Sequence, residues 1–232
     1  MILAGREIRS LGRNATTMEA AAKEVTTFLY NCFRIRGTQD HCCALVRCFK
    51  THPYDQLPPT LQAIARQQLQ PLTLYPGLRC LTLLASRGDQ PGWNDPQSSR
   101  AHQAIPLPST EIVGQAPMIS QLIRQMGLDL SDVVGPANQL IVDAVQRSFN
   151  VFHVEDAQGS PYVPAQPDFV IPTGIRSVLG FGGLLTSGEL FAVVMFSKVH
   201  ISRETAELFK TLALNVKLVL LPFSGRRVFE NK

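Results

Sequence analysis

The segment from Gly174 to Ser197 places the tightest constraint on this chain. Two apolar runs, Ile175–Leu185 and Leu190–Phe196, flank Thr186-Ser187-Gly188-Glu189. A short glycine-containing connection between runs rich in β-branched and aromatic residues is a β-hairpin signal. Just beyond it, Ser202 offers a side-chain oxygen to the unpaired N–H groups of a helix start, and Glu204 suits the positive end of that helix. Thr205, Leu208, Phe209, Leu212, Val216 and Leu220 then recur at helical spacing and form one apolar stripe. Two antiparallel strands followed by a closing helix over 202–221 are therefore expected.

The earlier elements follow from the same kind of pattern. Residues 1–15 read as a loosely ordered lead-in. Thr16 and Glu19 have capping-box spacing, and Ala21, Val25, Phe28, Leu29, Cys32 and Phe33 give the following helix an apolar face. Cys42–Lys50 reads as a strand stopped at His52-Pro53, with Cys43, Leu45, Arg47 and Phe49 on one face and Ala44, Val46 and Cys48 on the other. Pro58-Pro59 opens a helix that buries Leu61, Ile64, Ala65 and Leu69. Arg79–Ser86 is a second strand, and Gln90–Gln103 is a polar loop carrying the only tryptophan, Trp93. Ile105–Pro108 suits a short edge strand, and Pro117–Met126 a helix ended by Gly127. Pro136–Phe149 suits a further helix, and Val151–Val154 a strand. Pro161, Pro164, Pro167 and Pro172 exclude regular ladder bonding from residues 161–172.

A length of 232 residues suits one large domain, here a lead-in over 1–15, a folded domain over 16–222 and a tail over 223–232. The net charge is +4, and basic residues are scattered singly apart from Arg226-Arg227. That is no footprint for nucleic acid or an anionic membrane. No run of about 18 apolar residues offers a membrane span, and the N-terminus is too short in apolar residues for a signal peptide. Five cysteines, an odd number without the spacing of a secreted framework, point to a cytoplasmic protein with reduced thiols.

Five stretches carry a family resemblance: Cys43-Ala44-Leu45-Val46-Arg47, Leu84-Ala85-Ser86-Arg87-Gly88, Gly174-Ile175-Arg176-Ser177-Val178-Leu179, Gly188-Glu189-Leu190-Phe191-Ala192-Val193 and Ala206–Val219. Their order, over residues 18–222, resembles the GAF domain. The resemblance implies an α+β (α/β) fold, a central six-stranded antiparallel sheet with helices on both faces. It implies that the first and last helices share one face and commonly form a dimer, with a small-molecule pocket on the opposite face. It also implies a sensory input to an output protein such as a kinase, cyclase, phosphatase or transcription factor. No such output domain is recognisable here, so a stand-alone sensor or an input acting on a separate signalling output protein or domain is expected.

On that arrangement the candidates to border the pocket are His153, Tyr162, Phe169, Arg176 and Phe181, with His153 and Arg176 as polar contacts and the aromatics as walls. His153, set among apolar residues, suits a haem or an anionic ligand, or else a hydrogen-bonded half-buried histidine. The residues name no cofactor. Cys42 and Cys48 share a strand face but lie about 20 Å apart, so no metal site is expected, and Cys43 and Cys80 read as core. Ala165–Phe169 lacks the cysteine through which phytochrome-type GAF domains attach a bilin, and the Asn-Lys-x-Asp-Glu signature of cyclic-nucleotide GAF domains is not present. Gly180, Gly182 and Gly183 lack dinucleotide-loop spacing and read as a bulge or a close packing point.

No Ser–His–Asp set and no paired carboxylates stand out, so no catalytic residue is assigned. The expected function is a non-enzymatic sensory domain that binds a small molecule or a protein partner and relays the change through its terminal helices by population shift. A homodimer through the helices near 16–34 and 202–221 is expected, because Leu214 and Val219 lie off the main stripe. The alternatives are an interaction module with no ligand, and a cysteine-dependent enzyme similar to GAF-type methionine sulfoxide reductases.

Overall fold

A computed structural model describes residues 1–99, 101–135, 150–225 and 227–230. Six strands form one sheet: β1 (Cys43–Pro53), β2 (Arg79–Gly88), β3 (Ala104–Leu107), β4 (Val151–Val154), β5 (Ser177–Leu184) and β6 (Leu190–Ser197). Their order is β3-β2-β1-β6-β5-β4, and every neighbouring pair is antiparallel. The expected hairpin is β5–β6. At its turn Gly188 takes φ +78°, which a glycine adopts without strain. The glycines of β5 serve close packing: a Cβ on Gly182 would sit 2.1 Å from the Phe191 carbonyl oxygen.

Helices cover both faces. On one lie α1 (Ile2–Ser10), α2 (Met18–Cys32), α7 (Arg203–Glu207) and α8 (Lys210–Leu220). Val25, Leu29, Leu212, Val216 and Leu220 bury there against Val46, Cys48, Val193 and Met195. The other face carries α4 (Thr110–Gly114), α5 (Pro117–Gln125), α6 (Leu130–Val134) and the segment 155–176. There Ile123, Met126, Val133, Val170 and Ile175 pack on Leu45, Phe49, Leu83 and Val194. Helix α3 (Pro59–Leu69) sets Ala65 against Cys80 and Ala104 at the β2–β3 edge. The helix expected over 136–149 lies outside the described residues. Among the described residues no helix is long and apolar enough to cross a membrane.

Several local expectations are corrected. Residues 1–15 are not a loose lead-in: α1 is helical and Ile8 is fully buried. Gly12, at φ +72°, turns the chain so close to α8 that a Cβ there would sit 2.9 Å from Val219 Cγ1. The cap of α2 is Thr17 rather than Thr16; its hydroxyl accepts the Ala20 N–H at 3.1 Å. Glu19 instead accepts the Glu230 N–H at 2.8 Å, and the N–H groups of Met18 and Glu19 donate to the carbonyls of Arg227 and Val228. The last residues thus satisfy donors that every helix start leaves open.

Strand β1 runs on to Pro53, because β6 pairs with it only as far as Lys50 and the proline breaks no bond on that side. Its register also slips between Cys43 and Leu45, so Cys43 joins Val46 and Cys48 while Ala44 and Leu45 both face the other way. The closing helix is two pieces. Leu208 and Phe209 donate to the carbonyls three residues back, and this tighter turn puts Leu208 outward at 56% exposed and Ala206 inward. Residues 161–172 form no strand; Gln166–Val170 is a single wide turn entered by Ala165 at φ +60°. The Gln166 amide donates to the carbonyls of Ala157 and Val163, each at 2.8 Å, and holds that segment together.

Candidate small-molecule site

Arg47 on β1 and Ser86 on β2 are direct partners in the ladder and share the face opposite α2. Of the residues that join β2 to β3, 89–99 and 101–103 are described; they fold back over this face through two short turns, Pro91–Asn94 and Pro96–Ser98. Side chains hold the connection in place. Asn94 Oδ1 accepts the Gly88 N–H at 2.9 Å, Asp95 Oδ1 accepts the Gln97 N–H at 3.0 Å, and the Gln103 amide donates to the Gln97 carbonyl at 2.9 Å. Trp93 lies directly over Gly88: a Cβ on that glycine would sit 2.9 Å from Trp93 Cε3 and 2.7 Å from the Ala44 carbonyl oxygen. Between the connection and the two strands is a partly open cavity of about 260 Å³, lined by Arg47, Ser86, Trp93, Asp95, Ser99 and His102 among others.

The polar groups of this cavity are incompletely paired. Arg47 Nη2 donates to Ser99 Oγ at a long 3.4 Å, and its Nε has no partner among the described residues. Neither has the Ser86 hydroxyl, in a residue only 5% exposed. Loss of water lowers the Arg47 pKa to about 10, and no carboxylate among the described residues pairs with it. Partial loss of water and then the Arg47 charge lower the His102 pKa, so the imidazole stays neutral at pH 7. Trp93 is supported from behind, edge-on to Phe169 at 5.5 Å, which in turn meets Phe196 at 5.1 Å. A guanidinium, three serine hydroxyls and an indole around a recess are the parts of a binding site. Among the described residues no group of three or more His, Cys, Asp or Glu side chains could hold a metal ion.

The five residues expected to border one pocket do not come together. His153 sits on the same face as Val151, towards the terminal helices, where its Nε2 lies 2.8 Å from the Ile201 carbonyl oxygen. Phe181 is fully buried on that face too, 6.1 Å from the Phe209 ring. Arg176 is exposed, and Tyr162 is 41% exposed. Only Phe169 comes near the cavity, as the ring behind Trp93. Alternation along β4 separates two faces but does not say which one meets the terminal helices, and His153 lies on the face that does. The residues that line the cavity come from three separate stretches. Their one sequence signal is a lone tryptophan in an otherwise polar loop.

The six-stranded antiparallel sheet with helices on both faces is a GAF-like α+β fold. No family model matches the sequence, and no curated protein matches it. Among solved structures the chain is similar to the phycoerythrobilin-bound GAF domain from a cyanobacterial phytochrome, with a TM-score of 0.45 and 12% identity over 96% of this chain and 94% of that one.

Proposed function

We propose that this chain is a regulatory domain that binds a small molecule in the cavity beneath Trp93 and passes occupancy to its terminal helices. The observation that carries the reading is the recess itself, with an arginine and a serine in its wall that each hold one buried polar atom without a partner among the described residues. A route to the helices is also present. Strands β1 and β2 hold Arg47 and Ser86 on one face and Val46, Cys48, Leu84 and Ala85 against α2 on the other. Asp89, the first residue of the covering connection, accepts a 2.5 Å hydrogen bond from Tyr30 near the end of α2 and pairs with Lys198 at 2.8 Å. A ligand that favours one seat of the connection over another biases α2 through these contacts, and without that difference nothing is transmitted.

The output is a second copy of the chain and, through it, a signalling partner. Leu214 and Leu218, four residues apart on α8, are 48% and 49% exposed, and Ile2 and Leu3 on the adjoining α1 are 90% and 76% exposed. A two-fold contact uses each of these residues twice. A reducing, cytoplasmic setting suits the five free cysteines.

The test uses the single tryptophan. In a nuclear magnetic resonance titration with a library of small molecules of mixed charge, the Trp93 indole N–H should move saturably for the compounds that bind. Compounds that bind the protein and move other resonances while Trp93 stays fixed would overturn the assignment of the site.

A further inference from the structure

We infer that the ligand of this cavity is a small, flat organic monoanion, a carboxylate joined to an aromatic ring; the inference rests on the cavity being the ligand site. The charge follows from what surrounds Arg47. Its guanidinium is half-buried, makes one long contact to Ser99 Oγ, and has no carboxylate partner among the described residues. A cation removed from water without a counter-ion is costly, and a bound anion cancels that cost. His102 contributes no charge at neutral pH, and Asp95, which also lines the cavity, contributes a negative one. Asp95 makes no ion pair with Arg47, so the guanidinium charge is left for a ligand to meet. A monoanion lodged beside Arg47 cancels that one charge, and a dianion keeps a further negative charge facing Asp95.

The head group follows from the donors. The side edge of a guanidinium, Nε with one terminal nitrogen, matches the two oxygens of a carboxylate. Arg47 Nε and the Ser86 hydroxyl are buried side by side at the wall with no partner among the described residues, and each meets a carboxylate oxygen once its side chain turns towards the recess. The body follows from the wall and the volume. Trp93 presents an aromatic surface that Phe169 braces from behind, and about 260 Å³ admits a single ring and its substituents.

Benzoate, benzamide, benzylamine and phenyl phosphate share a ring and differ in charge, so they separate the possibilities. The readout is the Trp93 indole N–H resonance. Benzoate is expected to saturate the shift at roughly tenfold or more lower concentration than benzamide, since a charge-assisted bond is worth at least that factor. It is also expected to bind more tightly than phenyl phosphate. Arg47→Gln should remove the preference for benzoate over benzamide, and Ser86→Ala should weaken benzoate severalfold while the rest of the spectrum stays folded. The comparison of the four compounds on the unaltered protein needs no variant, so it stands even if Arg47→Gln fails to fold. Equal or tighter binding of benzamide or benzylamine would overturn the anion while leaving the cavity as the ligand site. Tighter phenyl phosphate would move the head group to phosphate and overturn the carboxylate. No shift of Trp93 with any of the four would overturn both the inference and the site.

Discussion

Arg47 and Ser86 stand opposite each other across β1 and β2, and each has a buried polar atom with no partner among the described residues. Buried polar groups in folded chains are nearly always paired. Here two such groups stand side by side, at the wall of a recess roofed by the one tryptophan.

The roof depends on Gly88. Gly88→Ala would set a methyl 2.7 Å from the Ala44 carbonyl oxygen and 2.9 Å from Trp93. The indole can move aside, but the carbonyl contact is relieved only by a shift of the β1 or β2 backbone. We expect a loss of about 1–3 kcal/mol of stability, as for an overpacked core. Denaturant unfolding gives the first quantity. The Trp93 indole resonance should move in the same variant, and an unmoved resonance with full stability would show that the contact is not tight.

His52 sets the response to acid. It is 2% exposed, neither ring nitrogen has a partner among the described residues, and its ring lies 5.0 Å from that of Phe229, tilted at 44°. Burial, then the nearby Lys50 charge, push its pKa well below the ordinary 6.5. The unfolded chain therefore takes up the proton first. Stability is complete above pH 6.5 and falls as the pH drops below it. His102 shifts in the same direction and adds to the slope. His52→Phe keeps the ring packing, removes two unpaired nitrogens and should flatten the acid limb of a plot of melting temperature against pH. An unchanged limb would assign the acid response elsewhere.

How much of this was legible in the sequence depended on how local the cause was. The hairpin, α3, α5 with its terminal Gly127, and the edge strand β3 were readable because neighbouring residues determine them. Helix α1 was not, since it has too few apolar residues to show a period. It folds because α8 offers it a surface, and it covers Val219, now 5% exposed. Off the main stripe in sequence, Val219 reads as surplus for a partner chain; in the fold the first residues of the same chain take up that surface, Gly12 lying against it. Face assignments failed where a bulge at Ala44 reversed the alternation of β1. The site was illegible because Arg47, Ser86 and Trp93 meet only when the 89–103 connection folds back over two strands.

The remaining apolar surface on α8 predicts the dimer. Leu214→Glu should convert a dimer into a folded monomer in sedimentation experiments at micromolar concentration, with the sheet intact by circular dichroism. Val219→Ala should lower stability without changing the assembly, because α1 already covers that position. A wild-type monomer under these conditions would contradict the contact.

The thiols divide by burial. Cys43, Cys48 and Cys80 are at most 2% exposed, and burial raises all three pKa values, those of Cys48 and Cys80 to about 12. They should resist a thiol reagent until the protein unfolds, whereas the more accessible Cys32 and Cys42 react in the native state, though slowly, because burial raises their pKa values as well, that of Cys32 to about 11. Cys43→Ala or Cys80→Ala should cost about 1 kcal/mol or more and leave the benzoate response of Trp93 in place. Rapid labelling of Cys43 or Cys80 in the folded protein would reopen a redox role.

The claim that the cavity beneath Trp93 is occupied and that α2 senses the occupancy is tested most directly by amide hydrogen exchange with and without saturating benzoate, in the wild type and in Tyr30→Phe. The account predicts slowed exchange in residues 89–103 and in the last turn of α2 in the wild type. In Tyr30→Phe, which lacks the bond to Asp89, the slowing should be confined to 89–103. Slowing centred on residues 155–176 instead, or slowing in 89–103 that never reaches α2 in the wild type, would contradict it.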